Sequence, residues 1–306
     1  MNSLSKGLKE FKRNKELFFL GLPGVLALFI VAYLPMFGLI IAFKRFSFED
    51  GIFGSPWAGF DNFKFFFTSQ DAFRVTRNTL LLNGSFIVLS FAAAVIVALM
   101  LNELNRKSVK VFQTVLFVPY FISWIVVGYL VYGFLSPDYG VINSILKTFN
   151  MAPVDWYGDP KYWPVILIIS YLWKNVGYLT IIFYTGMLGI DSSYYEAAAI
   201  DGATKFQQAR SITVPLIKPL VILMLILSIG KIFYSDFGLF FFVPREVGAL
   251  LPTTDVIDTY VYRSLRVIGD LGMASAAGFY QSIVGFILVI GSNLIIRKVS
   301  KENAVF

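Results

Sequence analysis

Two reactive residue types are missing from this 306-residue sequence, which contains no cysteine and no histidine. The absence of cysteine excludes disulfides, thiolate catalysis and cysteine-ligated metal sites. The absence of histidine removes the commonest general base and the commonest metal ligand. A metal centre, a redox cofactor and an enzyme active site are therefore all disfavoured, and we expect no cofactor in this chain.

Charge is also scarce, at 15% of residues, against about 25% in typical soluble domains. Apolar residues make up 57% of the chain and phenylalanine alone occurs 32 times. A soluble protein with so little charge could not cover such a core with polar surface, and a disordered chain would be polar and poor in aromatics. The composition therefore predicts a membrane protein.

Six apolar stretches are long enough to cross a bilayer as helices, which takes about 20 residues each. Four of them contain no charged residue. Because lipid cannot satisfy exposed backbone polar groups, these spans should be helical. The predicted fold class is an all-α polytopic membrane protein, and its predicted spans are 17–43, 80–101, 111–135, 162–190, 216–242 and 271–296.

Lysine and arginine are concentrated in the segments on one side of these spans. The two terminal tails and the loops 102–111 and 189–218 hold 14 of them in 66 positions, a higher density than on the other side. Positive charge accumulates on the cytoplasmic side, so both termini are predicted to be cytoplasmic. The net charge of +7 then reflects membrane anchoring and not nucleic-acid binding. The predicted organisation is a tail at 1–16, a six-helix domain at 17–296 and a tail at 297–306.

The longest predicted cytoplasmic loop, 189–219, has the pattern of two short helices. Ser192 or Ser193 can cap the first helix, with Glu196 in its first turn. Gly202 then interrupts the helix at a point where a second one can begin. From composition alone, an ordinary connecting loop is the alternative.

The spacing within this loop resembles the EAA motif of permease subunits from binding-protein-dependent ABC importers. That motif combines a Glu-Ala-Ala triplet, a glycine four residues after the triplet and an Ile-x-Leu-Pro ending, from which this chain departs only by Val214. The resemblance implies a coupling helix that docks into a cytoplasmic ATPase, with Glu196 facing the ATPase. The predicted coupling residues are Glu196, Ala197, Ala198, Asp201, Gly202, Ile212 and Pro215.

The resemblance extends along nearly the whole chain. Segments 236–240, 256–263 and 277–282 are similar to a narrower group of permeases that carry complex oligosaccharides and polysaccharide fragments. It implies a type I ABC importer permease fold with six spans in a bacterial cell membrane. The implied partners are a second permease in a heterodimer, two copies of a cytoplasmic ATPase, an extracellular substrate-binding lipoprotein and membrane lipid. The chain has no P-loop motif, so ATP and Mg²⁺ would be bound by the ATPase.

Three segments within the spans combine aromatic and hydrogen-bonding residues, as saccharide sites do. They are 120–124, 173–178 and 231–236. The predicted pathway residues from these segments are Trp124, Asn175, Tyr178, Tyr234 and Asp236. The alternative is that these aromatics anchor the helices at the membrane interface.

Two lysines lie deep within predicted spans, Lys174 in 162–190 and Lys231 in 216–242. A charge near the bilayer centre costs at least about 2.5–3.5 kcal/mol, so it normally faces a cavity or a partner. Two pathway lysines predict an oligosaccharide that carries a carboxylate or sulfate. In the alternative, one lysine pairs with Asp236 or with the partner permease.

Other classes of function remain open at this stage. An importer permease for a different small polar solute would share the same motif. A channel or a receptor would leave the EAA-like loop unexplained, and a membrane enzyme would lack a catalytic cluster. We therefore expect a transport subunit and not an enzyme.

Overall fold

The computed structural model describes residues 13–299, which fold almost entirely into helices. Within that range, the one extended pairing is an isolated antiparallel bridge between Lys44 and Trp57. The predicted tails fall largely on 1–12 and 300–306, which lie outside the described residues. The principal helices are α1 (Lys15–Phe43), α2 (Gln70–Asn102), α3 (Arg106–Phe121), α4 (Trp124–Leu135), α5 (Pro160–Leu188), α6 (Ser192–Ile200), α7 (Lys205–Ile229), α8 (Phe237–Phe242), α9 (Ile257–Arg263) and α10 (Leu271–Val299).

Five of these helices are long and apolar enough to cross a membrane by themselves: α1, α2, α5, α7 and α10. The predicted span 111–135 is different, because α3 and α4 meet there at an angle of 97°. It is either a broken span or a re-entrant loop. The all-helical prediction is confirmed for the described residues, but two of the six predicted spans, 111–135 and 216–242, are not continuous helices.

The predicted span 216–242 is shifted in the structure. The helix begins at Lys205, inside the predicted loop, after a turn at Gly202. It ends at Ile229, and Gly230 opens a non-helical stretch that lasts until α8 begins at Phe237. The apolar composition concealed this end because hydropathy reports side chains and not backbone hydrogen bonds.

Helix α2 defines the two faces of the molecule. Near its start, Arg74 pairs with Asp255 at 3.2 Å. Just beyond its end, Glu103 pairs with Lys205 at 3.3 Å. We call the side formed by 102–105 and 189–213 the EAA face, and the side formed by 44–69, 136–159 and 243–270 the opposite face.

The core lies where α2 packs along α5. Phe86 stacks on Tyr171 with ring centroids 4.3 Å apart and planes 7° from parallel, and Phe91 contacts Phe183 closer to the EAA face. The flank of α1 is very different, since Leu20 is 80% exposed. Large exposed apolar surface on the long helices fits contact with lipid hydrocarbon or with another membrane protein.

A buried carboxylate fixes the opposite face to α2. The Asp255 side chain is fully buried and accepts hydrogen bonds from Arg74 at 3.2 Å, Arg263 at 2.6 Å and the Thr259 hydroxyl at 3.0 Å. The Asn78 side chain donates to the backbone carbonyl of Asp255 at 3.0 Å. Paired and hydrogen-bonded in this way, the buried charge is tolerated and holds segment 243–270 in place.

Candidate functional site

Two interruptions in the helices meet near the middle of the molecule. The first is the bend between α3 and α4, at 119–123, and the second is the stretch 230–236 between α7 and α8. Each interruption leaves backbone groups without partners from their own helix. At membrane depth such backbone is tolerated only where it is buried in protein or lines a cavity.

Lys174 supplies the partners at the first interruption. Its ammonium group donates to the backbone carbonyls of Tyr120 at 2.6 Å and Ile122 at 2.5 Å, with a longer contact to Pro119 at 3.4 Å. The side chain is 8% exposed, and its Nζ lies 5.4 Å from the ring of Trp124. Lys174 therefore caps the bend and is not aimed into open space.

Three side chains from other helices satisfy the second interruption. Asn83 of α2 donates to the Ile232 carbonyl at 2.7 Å, and Gln281 of α10 donates to the Phe233 carbonyl at 2.6 Å. The Ser235 amide donates to the Asp258 carboxylate at 2.8 Å. The non-helical stretch is thus held from three sides, which gives it a defined conformation.

The two interruptions are joined by one short hydrogen bond. The indole Nε1 of Trp124, the first residue of α4, donates to the Asp236 carboxylate at 2.6 Å. The other oxygen of Asp236 accepts from the Gly238 amide at 3.1 Å and caps α8. A side chain at Gly238 would lie 2.5 Å from the Trp124 ring, so the close approach requires glycine.

A cavity of about 540 Å³ opens beside this junction. Of the residues predicted to face a pathway, five line it: Asn175, Tyr178, Lys231, Tyr234 and Asp236. Trp124 does not line the cavity but holds Asp236 in its wall. Lys174 does not line it either. The prediction that both lysines face the cavity is therefore wrong for Lys174.

The wall also contains residues that sequence reasoning missed. The ring of Tyr120 stacks on Tyr178 with centroids 4.9 Å apart, and Tyr171 and Asn83 line the same space. Tyr120 lies in 120–124, one of the three segments that combine aromatic and hydrogen-bonding residues. Asn83 could have been found as an isolated amide in an otherwise apolar span.

Lys231 is the cavity's free cation. It is exposed, and its ammonium group has neither a hydrogen bond nor an ion pair with any other part of the chain between 13 and 299. Asp236 is likewise not paired with a lysine in that range, since its oxygens accept from Trp124 and Gly238. The alternative of a lysine–Asp236 ion pair is thereby not supported by the geometry.

The EAA face carries the two predicted helices. Asp191 caps α6, where Ser192 or Ser193 had been predicted to do so, because its carboxylate accepts from the Ser193 amide at 2.9 Å. The same amide lowers the pKa of the Asp191 carboxyl. Gly202 has φ of +77°, a left-handed conformation that favours glycine. Thr204 then caps the start of α7 with a capping box. The predicted bend at Gly202 is confirmed.

Two contacts brace this bend. The Tyr195 and Thr213 hydroxyl groups lie 2.9 Å apart, and Lys205 pairs with Glu103 across the face. At the tip, Ile200 is 88% exposed and Phe206 is 75% exposed. Exposed apolar residues on a braced protrusion are typical of a protein-docking surface.

The predicted motif residues are all placed on this protrusion. Glu196, Ala197 and Ala198 lie on α6, Asp201 and Gly202 form the turn, and Ile212 and Pro215 lie on α7. Clefts of about 580 and 390 Å³ flank Gly202. The glutamate, the turn and the proline are exposed, whereas Ile212 is half-buried.

Comparison with known proteins identifies one family. The family profile described as the binding-protein-dependent transport system inner membrane component matches residues 87–301. Protein LplB of Bacillus subtilis (strain 168) is 37% identical over 293 residues, which cover 95% of this chain and 92% of LplB. The polygalacturonan/rhamnogalacturonan transport system permease protein YteP of the same organism is 32% identical over 297 residues, 95% of this chain and 90% of YteP.

Solved structures show the same fold over nearly the full length. A chain of a bacterial ABC transporter involved in the import of the acidic polysaccharide alginate superposes with a TM-score of 0.88 and 32% identity, covering 96% of this chain and 99% of that one. A second structure, of the alginate transporter with an alginate pentasaccharide-bound periplasmic protein, gives a TM-score of 0.86 and 33% identity, covering 96% and 98%. The chain belongs to the family of binding-protein-dependent transport system inner membrane components, as a multi-pass bacterial cell-membrane protein with the type I ABC importer permease fold.

Proposed function

We propose that this chain is one permease of a heterodimeric ABC importer that carries oligosaccharides into the bacterial cell. The observation that carries the proposal is the cavity at the two helix interruptions, whose wall combines tyrosine rings, side-chain amides and the carboxylate of Asp236. Such a wall offers stacking surfaces for sugar rings and hydrogen-bonding groups for hydroxyls. Two similar proteins support a saccharide cargo: YteP is a permease of a polygalacturonan/rhamnogalacturonan transport system, and the solved transporter is involved in the import of alginate.

The charge in the cavity supports an acidic cargo. Lys231 lines the cavity without an ion-pair partner in the described part of the chain. An unpaired ammonium group at this depth is costly unless a ligand or a partner chain supplies an anion. A uronate unit brings a carboxylate to this position, so we propose that the cargo carries at least one such group.

Energy would enter at the EAA face. We propose that this face and both termini lie in the cytoplasm, because the tails and the loops 102–111 and 189–218 hold 14 of the 26 lysine and arginine residues. The protrusion at Gly202 would dock into one of two ATPase subunits, which would bind ATP and Mg²⁺ in place of this chain. The opposite face would then receive cargo from an extracellular substrate-binding lipoprotein.

The second permease completes the enclosure. The helices of one chain leave large apolar surfaces exposed along α1 and α4, and a cavity wide enough for a sugar chain needs walls on all sides. We propose that a different but related permease covers part of this surface and that lipid covers the rest.

The charge of the cargo can be tested with Lys231→Met in the assembled importer. We expect the half-saturating concentration for a uronic-acid oligosaccharide to rise about tenfold, because one charge-assisted contact is lost. The half-saturating concentration for a neutral oligosaccharide of equal length should not rise. The measurement is uptake into proteoliposomes over a range of cargo concentrations, with Lys147→Met, an exposed lysine on the opposite face, as the matched control. Equal effects on both cargoes would refute the acidic assignment.

A further inference from the structure

A line of close contacts leads from the cavity junction towards the opposite face. Trp124 packs on Gly238, and one turn further along α4 a side chain at Gly128 would lie 2.5 Å from the Phe242 carbonyl. Two turns along, the ring of Tyr132 lies beneath Arg245. The eight residues from Trp124 to Tyr132 place Arg245 about 12 Å beyond the junction at 1.5 Å per residue.

A second, smaller cleft of about 220 Å³ lies at this position. Tyr129, Arg245 and Glu246 provide its polar groups, and Ile125 and Phe241 are among its apolar lining. The guanidinium group of Arg245 lies 4.1 Å from the ring centroid of Tyr132 and 5.7 Å from that of Tyr129. In the described part of the chain its N–H groups form no hydrogen bond or ion pair, so they are free to bind a ligand.

The backbone that presents this cation is unusual. Arg245 and Glu246 are consecutive residues with φ of +58° and +52°. Left-handed backbone is unfavourable for residues with a Cβ and persists only where the surroundings enforce it. Two neighbouring cases in one turn are a feature that clusters at binding sites.

The surroundings of this turn are closely packed. The Tyr157 hydroxyl donates to the carbonyl of the buried Val243 at 3.4 Å, and burial raises the pKa of Tyr157 to about 12, so it keeps its proton. The centroid of the Tyr157 ring lies 5.6 Å from that of Tyr132 and 5.0 Å from that of the buried Trp163. The aromatic platform under Arg245 is therefore anchored to the core, and the cation is held in position before any ligand binds.

We infer that the cleft at Arg245 is a second saccharide-binding subsite, which takes a uronate unit of the cargo before or while another unit occupies the central cavity. The guanidinium group matches a carboxylate with two parallel hydrogen bonds. Tyr129, whose side chain is 67% exposed, offers a face for a sugar ring. This inference rests on the proposed function and extends it, since a single cargo chain would contact Lys231 and Arg245 together.

Glu246 favours a uronate over an anion that has no hydroxyl groups. Its carboxylate lines the same cleft and can only accept hydrogen bonds when ionised. A uronate unit has hydroxyl groups that donate to it, whereas a fully ionised phosphate has no donor and would be repelled. The pair of opposite charges in one cleft therefore fits a hydroxylated carboxylate better than a phosphate group.

The test compares Arg245→Gln with Arg266→Gln, an exposed arginine on the same face but outside the cleft. Each variant is assembled with its partner permease, ATPase and binding protein, and uptake of a galacturonate disaccharide and a galacturonate pentasaccharide is measured against concentration. We expect Arg245→Gln to raise the half-saturating concentration of the pentasaccharide about tenfold and to leave that of the disaccharide unchanged. For Arg245→Lys, the half-saturating concentration of the pentasaccharide should lie between those of the wild type and Arg245→Gln, because lysine keeps the charge but loses the two-bond geometry. Arg266→Gln should match the wild type.

Three results would overturn the inference, and they are distinguishable. If the wild type transports no saccharide, the proposed function fails and the subsite falls with it. If the wild type transports both cargoes and Arg245→Gln leaves both affinities unchanged, the subsite alone is refuted. If Arg245→Gln weakens docking of the cargo-free binding protein and affects both cargo lengths equally, Arg245 is a docking contact and not a sugar ligand.

Discussion

Replacing Lys174 with methionine is expected to destabilise the folded permease and to abolish transport. The ammonium group of Lys174 is the hydrogen-bond donor for carbonyls at the bend between α3 and α4. Methionine fills a similar volume but leaves these carbonyls unpaired, at about 1–3 kcal/mol for each buried acceptor. The loss removes the support of Tyr120 and Trp124 as well, so the cavity wall and the hydrogen bond to Asp236 are expected to loosen together.

Lys231→Met is the control for this change, because it removes a lysine from the neighbouring interruption where the ammonium group supports no backbone. We expect a clear fall in the midpoint of thermal unfolding for Lys174→Met and little change for Lys231→Met, measured on the purified permease pair in detergent. Lys174→Arg, which retains a charged donor, should recover part of the stability. Equal midpoints for the two methionine variants would show that Lys174 does not hold the bend.

Replacing Gly202 with valine is expected to uncouple ATP hydrolysis from transport. At φ of +77° a residue with a Cβ is disfavoured by about 1–2 kcal/mol, and valine is β-branched and stiffer still. The turn would shift to a permitted conformation and change the angle between α6 and α7. We expect cargo-stimulated ATP hydrolysis to fall by more than about tenfold, since the proposed docking of the ATPase depends on this geometry.

Gly189→Val provides the matched control on the same face. Gly189 has no left-handed backbone, and a Cβ there meets its nearest neighbour at an ordinary 3.5 Å. The control should retain most of the cargo-stimulated hydrolysis measured in proteoliposomes. If Gly202→Val retains as much stimulated hydrolysis as Gly189→Val, the turn is not the coupling element.

Apolar runs in the sequence were sufficient to predict four continuous spans, those that became α1, α2, α5 and α10. They could not reveal the bend at 119–123 or the end of α7 at Ile229, because both lie inside apolar sequence. An interruption is set by which distant groups can satisfy the freed backbone. Here those groups are Lys174 on α5, Asn83 on α2 and Gln281 on α10, and no local pattern connects them.

Some residues of the candidate site could be predicted from the sequence, but their roles could not. A polar residue in an apolar span is a strong signal, and the three residues chosen in this way, Asn175, Lys231 and Asp236, line one cavity in the structure. The signal does not say whether a charge serves a ligand or the backbone, so Lys174 and Lys231 looked alike. Only the positions of the carbonyls of Tyr120 and Ile122 separate their roles.

The backbone of the EAA face was better predicted from the sequence than the cavity was. The spacing around Gly202 predicted two helices and a bend, and the structure has both. The predicted cap, Ser192 or Ser193, lies one or two residues after the observed cap, Asp191, because aspartate and serine are about equally good at that position. The Arg245 cleft had no sequence signal, since its left-handed backbone and its tyrosine platform arise from packing between α4 and the segment after α8.

The central claim is that saccharide enters the cavity at the two interruptions and that a partner ATPase drives it through the EAA face. Uptake of a labelled galacturonate oligosaccharide into proteoliposomes tests it most directly, with the chain assembled beside its partner permease, ATPase and binding protein, as wild type and as Glu196→Lys. The wild type should accumulate cargo only with ATP on the side of the EAA face, whereas Glu196→Lys should fold and lose both uptake and stimulated hydrolysis. Uptake without ATP, or equal turnover in the variant, would contradict the account.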